Sequence, residues 1–182
     1  APIRSGGKTV GTVEPGNTLV VGRVGDEGLW VNFKAAGWID PTKVVPLDEA
    51  ERHFADRIRS KPDDAEAYYG RAKARMAKEQ WVAAMEDLNE AARLKPRTAS
   101  YFISRAHALT RQRRYDEAFA DYDYAIQLDP LNAQAYRLRA GVNVEREKYS
   151  AAINDYNAAA RLFPNDAALN NDRAWLLATC PD

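Results

Sequence analysis

Residues 65–96 read AEAYYGRAKARMAKEQWVAAMEDLNEAARLKP and residues 99–130 read ASYFISRAHALTRQRRYDEAFADYDYAIQLDP, the same order of small, aromatic and apolar positions displaced by 34. The displacement recurs along the chain. Prolines fall at Pro62, Pro96, Pro130 and Pro164, each followed by a polar residue two places on (Asp64, Thr98, Asn132, Asp166) and then by Ala65, Ala99, Ala133 or Ala167. An aromatic comes next at Tyr68, Phe102 and Tyr136, with Asn170 in the fourth place. Small residues recur at Ala72, Ala106, Ala140 and Ala174, at Ala84, Ala118 and Ala152, and at Ala91, Ala125 and Ala159. Large ones recur at Trp81, Tyr115 and Tyr149 and at Leu88, Tyr122 and Tyr156. A fixed period of this length marks a repeat architecture.

The spacing inside a unit says what the unit is. From Ala65 to Ala77, and again from Trp81 to Leu94, apolar and small residues fall three and four apart. That pattern predicts two amphipathic helices joined by a short polar turn. The alanine columns let helix backbones approach, and the aromatic and leucine columns fill the spaces beside them. Proline closes the second helix by biasing the residue before it away from helical geometry, and the polar residue that follows is placed to cap the next helix.

These residues resemble the tetratricopeptide repeat family over Asp63 to Asp182, as three full units (63–96, 97–130, 131–164) and a partial fourth (165–182). There are two departures. Tyr68, Phe102 and Tyr136 stand where the family carries tryptophan, and Glu79, Arg113 and Glu147 stand where its hairpin turn often has glycine. The resemblance implies a mainly α fold, an α-solenoid of helical hairpins. The implied function is a non-enzymatic protein–protein interaction scaffold that binds a peptide or protein in the concave groove. By the repeat's usual geometry the groove residues are Glu66, Tyr69, Lys73 and Met76, then Ser100, Ile103, His107 and Thr110, then Gln134, Arg137, Gly141 and Val144. Their mixed chemistry suits an extended peptide better than a polyanion. Some relatives clamp a terminal carboxylate with lysines and asparagines; the matching positions are Tyr69, Lys73, Ser104, Gln134 and Leu138, of which only Lys73 is kept.

Ahead of the repeats, residues 1–46 hold most of the glycines and runs of β-branched residues such as TLVVGRV and LWVNF, which predicts five short strands with tight turns at Pro15-Gly16 and Gly25–Gly28. The order PIRSGGKTVGTVEPGNTLVV, GLWVNF, GWIDPTKVV resembles the bacterial SH3-like domain, a small all-β barrel. A proline-peptide groove on Trp30 and Trp38 is disfavoured, because residues 1–46 contain no tyrosine and place Lys43 where an aromatic would close it. Between the two regions, residues 47–62 predict a capping helix with Leu47, Ala50, Phe54 and Ile58 on one face. Ala50, Phe54 and Pro62 each precede Ala84, Leu88 and Pro96 by 34, so this helix is a half-repeat that packs on the first unit and buries Phe54.

The 182 residues carry 26 basic and 26 acidic side chains. That balance argues against nucleic acid, which draws a basic face. No apolar run is long enough to span a bilayer, so membrane insertion by this segment is not expected. Upstream targeting is not visible in a sequence that starts at Ala1, so the chain reads as mature or partial, and its compartment stays open between cytoplasm and bacterial envelope.

Little in the chain has the makings of catalysis. His53 and His107 have no second ligand at metal-like spacing, Cys180 has no partner histidine, and Ser5–Lys8 is too short for a phosphate loop. Catalytic residues, metal and cofactor are therefore none. The columns Arg71, Arg105, Arg139, Arg173 and Asp87, Asp121, Asp155 read as ion pairs that hold register between the helices of a hairpin, in preference to an anionic-ligand ladder.

The alternative function is a targeting or regulatory module of a larger enzyme or cell-envelope protein, with the barrel holding a cell-wall or peptide ligand. At the far end, Trp175, Leu176 and Leu177 are consecutive and cannot all face the third repeat. The array is expected to stop within its fourth unit, leaving apolar surface there for a weak homodimer through the C-terminal end.

Overall fold

The computed structural model describes the backbone of residues 2–5, 8–12, 21–25, 28–33, 35–39 and 47–180, and side chains from Glu49 to Cys180. The chain forms two compact units, residues 1–94 and 95–182. In the first, strands β1 (Pro2–Ser5), β2 (Lys8–Thr12), β3 (Val21–Gly25), β4 (Gly28–Phe33) and β5 (Ala35–Ile39) make one sheet in the order β2-β1-β5-β4-β3. All its pairings are antiparallel, with Trp30 opposite Trp38 and Arg4 opposite Trp38. The expected turn at Pro15-Gly16, the side chains of Trp30 and Trp38, and Lys43 lie outside the described residues.

Helices α1 (Leu47–Ser60), α2 (Ala65–Ala77) and α3 (Trp81–Leu94) complete the first unit. Ala50 and Phe54 of α1 are buried against Ala67 and Ala74 of α2, which is the packing the half-repeat pattern predicts. Gly70 makes that approach possible: a Cβ there would overlap the Phe54 ring, with Cδ1 at 2.8 Å. Arg57 spans the α1–α2 turn to Asp64 at 2.7 Å, and Glu51 reaches Lys78 at 2.8 Å.

The second unit holds α4 (Ala99–Arg111), α5 (Tyr115–Leu128), α6 (Ala133–Glu145), α7 (Tyr149–Leu162) and α8 (Ala167–Thr179). From Leu47 onward every described element is a helix. The alanine columns are shut away from solvent at Ala72, Ala106 and Ala140, at Ala84, Ala118 and Ala152, and at Ala91, Ala125 and Ala159. Leu88, Tyr122 and Tyr156 are buried beside them, whereas Trp81 and Tyr115 are half-buried and Tyr149 is exposed.

Punctuation follows the sequence with one exception. Asp64, Asn132 and Asp166 each accept a helix-starting N–H, from Ala67, Ala135 and Leu169. Thr98 does not cap with its side chain; the Tyr101 N–H is met by the Thr98 backbone carbonyl at 3.1 Å. In the hairpin turns, Glu79, Arg113 and Glu147 adopt φ of 58°, 61° and 57°. Each non-glycine residue held there costs about 1–2 kcal/mol, so the packing of the hairpins imposes a turn that their own sequence does not favour.

The arginine and aspartate columns meet inside each hairpin. Arg71 reaches Asp87 at 2.6 Å, Arg105 reaches Asp121 at 2.7 Å and Arg139 reaches Asp155 at 2.6 Å, each through two nitrogens. The guanidinium also lies over the aromatic of its own helix: Tyr68 at 5.7 Å, Phe102 at 5.2 Å and Tyr136 at 5.7 Å. Aromatic, arginine and aspartate thus form one device repeated three times, and the aspartate hydrogen bond holds each of these arginines above the usual guanidinium range. In the fourth unit Asn170 replaces the aromatic, and Arg173 donates to Asn157 at 3.3 Å.

Candidate functional site

The first helix of each hairpin carries the expected groove positions. On α2, Glu66, Tyr69 and Lys73 are half-buried, while Met76 is buried in a cluster with Ala72, Ala84 and Leu88. Lys73 has no carboxylate partner among the described residues, and burial pushes its ammonium below the usual lysine range.

On α4, Ser100 and His107 are exposed and Ile103 is buried. Thr110 donates to the Ala106 carbonyl at 2.8 Å and its hydroxyl also hydrogen-bonds the Tyr122 side chain of α5, so it is engaged within the hairpin. On α6, Gln134 is exposed, Arg137, Gly141 and Val144 are half-buried, and Arg137 donates to Asp172 of α8 at 3.1 Å.

The structure brings part of this set together with residues the sequence reading left out. A cleft of about 300 Å³ is walled by Gly141, Val144 and Glu145 of α6 and by Asn171, Asp172 and Trp175 of α8, with Tyr156 of α7 and Leu176 also lining it. Its chemistry is aromatic and acidic. Trp175 is 60% exposed, and no lysine or arginine is among the lining residues. Burial first, and then the Asp172 carboxylate, raises the Tyr156 hydroxyl above the usual tyrosine range, so it stays protonated. Asp172 accepts from Arg137 through Oδ2, and Glu145 accepts from the Tyr115 hydroxyl through Oε2 at 3.0 Å. The other oxygen of each carboxylate has no hydrogen-bond partner among the described residues.

Trp175 was legible in principle. It stands 34 residues after Gly141, in the column of Lys73 and His107, so the period that named those three also names Trp175 as a groove residue. Of the three consecutive apolar residues only Leu176 is buried; Trp175 and Leu177 are exposed, at 60% and 54%. Among the described residues no group of acidic, histidine and cysteine side chains is arranged to hold a metal ion, and no helix is long and apolar enough to cross a membrane.

Comparison with known proteins gives the array its relatives. The sequence profile of a family described as tetratricopeptide repeat matches residues 47–99 and 103–167. The crystal structure of MamA superposes with a TM-score of 0.67 at 19% identity, covering 71% of this chain and 76% of that one. The TPR domain of Arabidopsis OM64 matches at 0.61 and 25% identity over 63% of this chain and 95% of its own. The TPR2B domain of yeast Sti1, solved as a complex with pHsp70, matches at 0.58 and 26% identity over 62% of this chain and 91% of its own. No curated protein matches the sequence.

Proposed function

Since the chain belongs to the tetratricopeptide repeat family, we propose that it is a non-enzymatic scaffold that binds a peptide or protein on the exposed faces of its first helices. The observation that carries this is the cleft between α6 and α8, where an exposed tryptophan, the hydroxyl of a buried tyrosine and two half-used carboxylates converge. Open apolar surface beside a few placed polar groups is the composition of a recognition site. The Sti1 domain, whose structure is a complex with pHsp70, supports a peptide as the ligand class. Within this reading residues 1–46, 47–62 and 63–182 are barrel, capping helix and repeat array.

Arg137 and Trp175 are the residues to change. A partner captured by the parent chain is expected to be lost from the Arg137→Ala, Trp175→Ala double variant while its melting temperature stays within a few degrees of the parent. Capture at parental strength by a folded double variant would sink the reading.

A second reading is favoured by the sheet. Five antiparallel strands precede α1 in the order β2-β1-β5-β4-β3, which agrees with the SH3-like resemblance of that region. On this reading the chain is the targeting or regulatory part of a larger enzyme or envelope protein, and the barrel binds a cell-wall or peptide ligand. Binding of muropeptides to the 182-residue chain, followed by calorimetry, tests it. The exposed Trp175 and Leu177 also support weak self-association through α8, which light scattering across a concentration series would reveal.

A further inference from the structure

Helix α6 carries a glycine that no steric demand explains. A Cβ built on Gly141 would meet nothing within 4 Å, and the residue sits within a regular helix. Glycine at such a place weakens a helix relative to alanine. In the corresponding column the other units carry Lys73, His107 and Trp175, side chains that would fill the space which Gly141 leaves open. That space belongs to the α6–α8 cleft.

The second observation is Tyr156. It is 7% exposed, lines the cleft, and its hydroxyl has no hydrogen-bond partner among the described residues. The hydroxyl itself is not shut away from solvent, so a ligand group can reach it as a hydrogen-bond partner. Around it the cleft offers acceptors: the second oxygens of Asp172 and Glu145, and the face of Trp175. Arg137 pairs with Asp172 at 3.1 Å with its side chain 43% exposed, and an open pair of that kind is weak.

Building on the peptide-binding reading above, we propose that this cleft takes a lysine or arginine side chain of the bound peptide. The aliphatic stem lies against Val144 and Trp175, and the cation meets Glu145, Asp172, the Tyr156 hydroxyl and the tryptophan face. Long basic side chains bury their stems while their charged heads find polar partners, and tryptophan is the best aromatic surface for a cation. Gly141 is the opening that lets the ligand in.

Randomised peptides displayed on phage and panned against the 182-residue chain provide the test. The selected peptides are expected to share a lysine or arginine whose change to glutamine weakens binding by about tenfold or more. The Glu145→Gln, Asp172→Asn double variant is expected to lose affinity for them by a similar factor, and Gly141→Leu to abolish binding with its circular-dichroism melting curve preserved. Selected peptides that need no basic residue, or that bind Gly141→Leu like the parent, overturn the cleft assignment and leave the peptide-binding reading standing. A selection that yields no binder overturns both. Concentration-dependent self-association abolished by Gly141→Leu would put a second copy in the cleft and also overturn the assignment.

Discussion

Two helical glycines, one in each unit, serve opposite ends. Gly70 is where α2 lets the Phe54 ring of α1 come close, and any side chain there collides with the ring. Gly141 on α6 faces open space at the edge of a cleft. Both cost their helices the same intrinsic propensity. In the first unit the loss is offset by packing, in the second by nothing within the unit, and that contrast marks Gly141 as a place kept for a ligand.

The helices bearing both glycines are held by the same repeated ion-pair device. Asp87 takes Arg71 and Arg75, and Asp155 takes Arg139 and Asn143. Asp87→Ala is expected to cost about 3–5 kcal/mol, because the half-buried Arg71 guanidinium loses its carboxylate, and Asp155→Ala somewhat less, because Arg139 keeps Asp123 at 2.7 Å. Urea unfolding measures it. A cost under about 1 kcal/mol for Asp155→Ala alone would mean that α6 is held differently from α2, and would break the comparison.

Phe54→Ala empties the space that Gly70 serves and should cost about 3 kcal/mol. Gly70→Ala alone should cost about 1–3 kcal/mol from overpacking. Combined with Phe54→Ala the same glycine substitution should become neutral or mildly favourable, since the ring it collided with is gone. A double-mutant cycle by chemical denaturation reads this coupling, and strict additivity would show that Phe54 is not what requires the glycine. Smallest in size, and opposite in sign, is Gly141→Ala, expected to raise stability by about 0.5–1 kcal/mol through helix propensity alone.

Much of this was legible in the sequence, for a physical reason. A 34-residue period repeats one set of contacts, so a column that packs in one hairpin packs in the next. The bounds of α2 and α3, the buried alanine columns, the Arg71–Asp87 type of pair and the burial of Phe54 all follow from it. What escaped depends on contacts that do not repeat. Thr98 occupies a capping position without capping, because the hydrogen bond depends on a rotamer and not on the period. Met76 and Ile103 share the groove phase of their helices yet are buried, since neighbouring side chains, and not helix phase alone, set exposure. Glu145, Asp172 and Tyr156 converge from three helices, and their meeting has no signature along the chain.

The contrast between the glycines is tested most directly by the unfolding free energy of Gly141→Leu, measured in urea beside the parent chain. If the space beside α6 is preformed and open, the leucine enters it without displacing its neighbours, and stability is expected to equal or slightly exceed that of the parent. A loss of about 2 kcal/mol or more, the size expected for overpacking at a filled position, would show that Gly141 is a packing glycine like Gly70 and contradict a cleft kept for a ligand.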